Sequence, residues 1–101
     1  MRQYKIIITN KAHSDIADCV NFVKKVSVEA AKSLALNIYS SIATLNVLPE
    51  RNSIFEMPKS FPFQTRKQVI DNRYIALYSI EEDSVVVYRV LDSRRKFGHL
   101  I

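Results

Sequence analysis

The sequence is poor in the residues from which many active sites are built. It has one glycine, Gly98, so a glycine-rich phosphate loop is excluded. Its two histidines, His13 and His99, lack the paired spacing of a metal site. Cys19 is the single cysteine, which excludes an internal disulfide and a cysteine-based zinc centre. It falls on an apolar helix stripe, where it reads as a small core residue rather than a nucleophile, and a lone thiol suits a reducing compartment. No apolar run approaches the roughly 20 residues that a membrane-spanning helix needs. No small-residue cleavage site follows "MRQYKIII", so no secretory signal is expected and a cytoplasmic location is. No cofactor or metal is expected either.

What is present is an ordinary globular balance. The chain has 101 residues, 48% hydrophobic and 25% charged, enough for one domain with a modest core. Fifteen Lys and Arg against ten Asp and Glu give a net charge of +5. Such an excess speaks about partners and not about fold. From Lys59 onward the bases are Lys59, Arg66, Lys67, Arg73, Arg89, Arg94, Arg95 and Lys96. The acids there are Asp71, Glu81, Glu82, Asp83 and Asp92, and three of them sit together in "EED", a hairpin tip. The rest of this half is therefore more basic than the total suggests.

Periodicity sets out the elements. "YKIIIT" (4–9) puts Tyr4, Ile6 and Ile8 on one face and Ile7 on the other, a first strand. Asn10 is the expected cap of a helix over 11–25, whose stripe is Ala12, Ile16, Cys19, Val20 and Val23. Asp15, Asp18 and His13 read as its exposed face. Ser27 is the expected cap of a second helix over 28–48, striped with Ala31, Leu34, Ala35, Ile38, Ile42 and Leu45 and stopped by Pro49. So short a link makes the two helices an antiparallel hairpin. "PERNSIFEMPKSFPFQ" (49–64) holds all three prolines and too many large apolar residues to be left in water. It is expected to be an ordered loop packed on the domain, with room for a short extended piece. "RKQVI" (66–70), "RYIALYSI" (73–80) and "SVVVYRVL" (84–91) read as strands joined by tight turns at "DN" and "EED". The middle one is apolar on both faces, hence central. The expected fold is α+β, in the order β-α-α-β-β-β. The helical hairpin covers one face of a four-stranded, mainly antiparallel sheet and leaves the other partly open.

The residues left for function are basic and aromatic: Arg66, Lys67, Arg73, Tyr74, Tyr78, Tyr88, Arg89, Arg94, Arg95, Lys96 and His99. Arg89 lies within an apolar strand, where an unpaired charge would cost several kcal/mol. It must reach a carboxylate, an open face or a partner. One reading of the set is a solvated sheet face with ordinary ion pairs. The other is an anion-binding patch, for phosphates or for an acidic protein segment. In that reading Arg66, Arg73, Arg89, Arg94, Arg95 and Lys96 bind the target, held on the end of a strand that Val85, Val86 and Val87 secure in the sheet. It requires Arg66, Arg73, Arg89 and Arg95 to converge. Deleting 94–101 should then abolish activity with little effect on folding.

The segment "RKQVIDNRYIALYSIEEDSVVVYRVLDSRRKFGHLI" resembles the C-terminal half of RelE/ParE superfamily toxins of type II toxin–antitoxin modules. The resemblance rests on Arg66-Lys67, on Tyr74 and Tyr78 in a Tyr-x-x-x-Tyr strand, and on Arg89-Val90-Leu91-Asp92-Ser93-Arg94-Arg95. The first strand, the helical hairpin and "LNVLPERN" also fit it. It implies a bacterial toxin held inactive by a cognate antitoxin in a hetero-oligomer, with no membrane involved. The superfamily divides by target. RelE-like members cut mRNA on the ribosome, which needs proton transfer and phosphate stabilisation. By similarity Arg95 would serve the phosphate, with Lys67, Tyr74 or His99 as proton carriers. Ile75 stands where an arginine usually follows the first tyrosine. ParE-like members inhibit DNA gyrase by binding, have an apolar strand after that tyrosine and end in Arg-Val-Leu-x-x-Arg-Arg. Ile75, Ala76 and Leu77 favour the ParE-like branch, since an unassisted arginine is a poor general base. A non-toxic nucleic-acid- or protein-binding module on the same scaffold is the further alternative.

Overall fold

Three isoleucines in succession suit an extended backbone, and the chain begins with a strand, Lys5–Ile8 (β1). In the computed structural model, residues 1–94 are described; Arg95, Lys96 and His99 lie outside the described residues. Helices α1 (Asn10–Lys24) and α2 (Val28–Ala43) follow, and then two short 3-10 turns, Thr44–Asn46 and Pro49–Arg51. The last elements are β2 (Ile54–Phe55), β3 (Thr65–Ile70), β4 (Tyr74–Glu81) and β5 (Ser84–Asp92). No helix among the described residues is long and apolar enough to cross a membrane.

The strands form one sheet in the order β1-β5-β4-β3-β2, with β1 parallel to β5 and the other pairs antiparallel. The expected fold class holds, with one correction: among the described residues the sheet has five strands and not four. The extra strand comes from the proline-rich segment, where Ile54 and Phe55 pair with Arg66 and Thr65. Two residues flanked by prolines and loop carry too little pattern to read as a strand. The expected central position of β4, between β5 and β3, is observed.

The turns follow from their residues. Asp71 and Asn72 both have positive φ (54° and 56°), and the Arg73 amide donates to the Ile70 carbonyl at 3.1 Å. This is the type I′ geometry whose twist matches a hairpin, adopted at low cost by Asp and Asn. Helix α1 is capped by Thr9 and not by Asn10, with Thr9 Oγ1 accepting from the Ala12 amide at 3.1 Å. Thr9 also lies against β5: its amide donates to the Val87 carbonyl and its hydroxyl to the Tyr88 carbonyl. One residue thus ends the strand and starts the helix. Ser27 caps α2 as expected. That helix stops at Ala43 rather than at residue 48 and passes into the 3-10 turns, which Arg51 ties together. The Arg51 guanidinium donates to the Thr44 carbonyl at 3.1 Å and the Val47 carbonyl at 2.8 Å, satisfying groups that the helix cannot.

The hairpin covers one sheet face. Ala12, Ile16, Cys19, Leu34, Ile38, Ile42 and Leu45 pack against Ile70, Tyr74, Ala76, Tyr78, Val85, Val87 and Val90. Burying one such large apolar side chain contributes roughly 1.5–3 kcal/mol, so this layer carries most of the stability. The other face holds a small cluster, Ile75, Leu77 and Leu91, with Phe55 against it.

Candidate target-binding site

The open face is shaped by a mismatch in strand length. β1 has four residues and β5 has nine, so among the described residues the second half of β5 has no strand on its outer edge. A β-bulge sits at the same place: Leu77 pairs with Arg89 and Tyr78 with Val87, leaving Tyr88 as the extra residue. Bulges bend a strand and re-aim a side chain. Here Tyr88 turns to the open face and gathers the proline-rich segment. Its ring lies 5.7 Å from Phe61, edge-on, and 6.0 Å from Phe63, stacked. Its hydroxyl donates to the Glu81 carboxylate, which also accepts from Ser79 Oγ at 2.7 Å. Those bonds hold the Glu81 carboxyl below its ordinary range. Burial, and then the Glu81 carboxylate, push the Tyr88 phenol above its ordinary value.

Between this segment and the strands runs a groove of about 380 Å³, lined by Met57, Phe61, Leu77, Tyr88 and Leu91. Lys11 and Arg89 stand on its lining too. An apolar cleft of that size with a few polar groups is the usual form of a binding site.

Of the three alternatives open to Arg89, it reaches a carboxylate. Its Nε donates to Asp15 Oδ2 at 2.7 Å and its Nη2 to Asp15 Oδ1 at 3.2 Å. The Val90 amide donates to Asp15 Oδ2 at 3.0 Å, so the side chain takes the place of a missing strand partner. Asp15 was expected on the exposed face of α1; it is buried, at 8% exposure. The sign was in the spacing, because Asp15 lies three residues after Ala12 and four before Cys19, on the core stripe. Its acidity alone placed it outside. Asp18 and His13 are exposed, as expected, and His13 Nδ1 lies 2.8 Å from the Tyr39 hydroxyl.

The other candidates divide between two places. Arg73 and Arg94 share one carboxylate: Nη2 of Arg73 lies 3.1 Å, and Nη2 of Arg94 3.3 Å, from Asp92 Oδ2. Arg73 also lies over the Tyr74 ring at 5.1 Å. Asp92 and Asp15 both line a small cavity of about 30 Å³, together with Asp18 and Arg89. Arg73, Arg89 and Arg94 are therefore neighbours. Arg66 is not with them, which corrects the expected convergence. It opposes Tyr78 in the register, stands at the far end of β3 from Arg73, and donates to the Glu50 and Asn52 carbonyls at 3.2 and 2.6 Å. A guanidinium with backbone carbonyls near at hand is used to hold the loop. Arg95 and Lys96 fall outside the described residues, so their part in the convergence is not described.

Of the proton carriers, Tyr74 is 3% exposed and belongs to the helix-side core. Burial raises its phenol above the ordinary value, partly offset by the Arg73 charge. Lys67 opposes Leu77 and so stands on the other face of the sheet. Tyr78 is fully buried, donating to the Pro49 carbonyl at 2.6 Å and accepting from Asn52 at 3.2 Å. Both tyrosines of the Tyr-x-x-x-Tyr strand are thus buried in the helix-side core. Lys11 and Phe61, which line the groove, and Asp15, which holds Arg89, are the site residues that the sequence did not point to, since each comes from an element remote in the chain.

The fold has solved counterparts. The chromosomal ParDE toxin–antitoxin system of P. aeruginosa superposes with a TM-score of 0.71 at 15% identity, covering 89% of this chain and 96% of that one. The RelBE2 toxin–antitoxin complex of Mycobacterium tuberculosis gives 0.59 at 20% identity, covering 91% and 93%. A conserved hypothetical protein of Helicobacter pylori gives 0.54 at 11% identity, covering 91% and 97%. Identities this low show a shared fold. No curated protein sequence matches the chain. The family profile described as the ParE toxin of the type II toxin–antitoxin system parDE matches residues 6–97, nearly the whole length. The chain therefore belongs to the ParE toxin family, within the RelE/ParE superfamily.

Proposed function

We propose that this protein is a cytoplasmic growth inhibitor that acts by binding DNA gyrase and is neutralised by a cognate antitoxin. The observation that carries the reading is the separation of Tyr74 from Lys67 by the thickness of the sheet, with Tyr74 in the core. Acid–base catalysis by that pair would need both groups within hydrogen-bond reach of one substrate. Binding needs no such pair. A binding surface is what the groove offers, apolar along its floor and cationic at Lys11 and Arg89. The ParDE and RelBE2 structures are toxin–antitoxin systems, which supports an antitoxin partner for this chain as well.

Supercoiling by purified gyrase tests the reading. Micromolar toxin should inhibit it, and the antitoxin encoded beside this gene should relieve the inhibition. Undiminished supercoiling, with A-site cuts in translated mRNA that Arg95→Ala abolishes, would replace gyrase binding by ribosome-dependent cleavage. Harmless overexpression without any antitoxin would leave a non-toxic binding module.

A further inference from the structure

The two buried aspartates near the end of β5 are arranged alike. Asp15 lies under Lys11 (3.9 Å) and Arg89 (2.7 Å); Asp92 lies under Arg73 (3.1 Å) and Arg94 (3.3 Å). Both carboxylate side chains are 9% exposed, while the four cations range from 21% to 62%. The acids face inward and the bases outward. The small cavity lined by Asp15, Arg89 and Asp92 joins the two groups into one surface. Among the described residues of these two groups and that cavity, four cations stand over three carboxylates, Asp18 included. Long basic side chains lose much rotamer freedom when a partner fixes them, and a surface that fixes them beforehand binds more tightly.

We propose that Asp15 and Asp92 are positioning residues of the toxin's target-binding surface, holding Lys11, Arg89, Arg73 and Arg94 ready for the carboxylates of an acidic protein segment. A protein partner fits better than a nucleic acid. The groove that shares Lys11 and Arg89 is floored by Leu77, Leu91, Met57 and Phe61, a receptacle for an aliphatic side chain next to the partner's acids. This inference deepens the binding reading above and rests on it.

The test uses the sign of a charge change. Asp15→Asn and Asp92→Asn each add one positive charge to the protein. If attraction by net charge were all that mattered, both would inhibit gyrase more strongly. If the carboxylates position the cations, inhibition should weaken about tenfold, the effect of losing the pre-ordering of two long side chains. Nuclear magnetic resonance supplies the readout that a general loss of structure cannot imitate. The Nε–H signals of Arg89 in Asp15→Asn, and of Arg73 in Asp92→Asn, should broaden while the backbone amide spectrum is kept. Asp92→Asn serves if Asp15→Asn proves unstable, since only Asp15 also holds the Val90 amide. Variants that keep the amide spectrum and inhibit as well as wild type overturn the proposal. Wild type that spares gyrase yet arrests growth removes gyrase as the target, and the same ranking must then appear in growth arrest; equal arrest overturns the proposal. Wild type that does neither sinks both readings.

Discussion

The two faces of β4 differ in what their residues are for. Tyr74, Ala76 and Tyr78 point toward the helices and are sealed in a core that draws on every long element. Ile75 and Leu77, their immediate neighbours in sequence, point into a face that, among the described residues, the proline-rich segment covers with Phe55, Met57 and Phe61. Alternation gives the two faces equal access to the chain's apolar residues. What separates them is the cover: the helical hairpin spans its face with a continuous core, whereas the proline-rich segment is anchored near its start by Arg66, Tyr78 and the pairing of β2 with β3, and lies over the open face through the ring contacts of Phe61 and Phe63 with Tyr88. The first face secures the fold, and the second is free to serve as a surface.

The difference can be probed by substitution on each side. The largest effect is expected in the helix-side core, where Ile38→Ala should cost about 2–5 kcal/mol in chemical denaturation through the cavity it leaves. A loss below about 1 kcal/mol would mean that the hairpin is not the main source of stability. Asp15→Ala comes next, at about 3 kcal/mol, because it strands Arg89 and the Val90 amide together. Asp15→Asn should cost less, since an amide oxygen can still accept from Val90. On the open face, Phe61→Ala should alter the groove and weaken the proposed gyrase inhibition several-fold while costing about 1 kcal/mol or less. A core-sized loss of stability there would abolish the distinction drawn above.

A smaller effect is expected from Tyr88→Phe. It removes the donor that holds the Glu81 carboxyl low, so the carboxyl titration followed by nuclear magnetic resonance should move up toward the ordinary glutamate value. The sign for stability follows. A carboxyl with a lowered folded pKa stabilises above its unfolded value, and that contribution disappears as pH falls through the folded value. The phenol of Tyr88 is raised, so its contribution is present below the ordinary tyrosine value near 10 and disappears as pH rises through the folded one. Tyr88→Phe should therefore flatten the stability profile at both its acid and alkaline ends. The least effect is expected from Tyr74→Phe, which should leave inhibitory activity unchanged. A marked loss of activity with normal stability would reopen a catalytic role for that hydroxyl.

Much of the fold was legible because its signals are local. The isoleucine alternation of 4–9, the stripes of two helices, the Asp71-Asn72 turn and the doubly apolar β4 each lie within one short window. The small misses were also local, and each had a competitor nearby. Thr9 took the cap from Asn10 because it could bind β5 as well, and the end of α2 passed into 3-10 turns that Arg51 ties together. The site was less legible. Arg89 announced that it needed a partner, yet nothing adjacent in the chain identified one. Asp15 was assigned to the surface on its charge although its spacing placed it on the core stripe.

The order of elements, the central place of β4, the burial of Cys19 and the basic character of the C-terminal half were decided by the sequence itself, through periodicity, turn chemistry and composition. The partners of its charges were decided only on folding. Asp15 and Arg89 are 74 positions apart, and they meet because the short β1 leaves an edge of β5 for α1 to cover. Arg66 and Arg73 are close in sequence but stand at opposite ends of β3. A charge is satisfied by what lies within a few ångströms, and that neighbourhood does not exist until the sheet and the helices have packed.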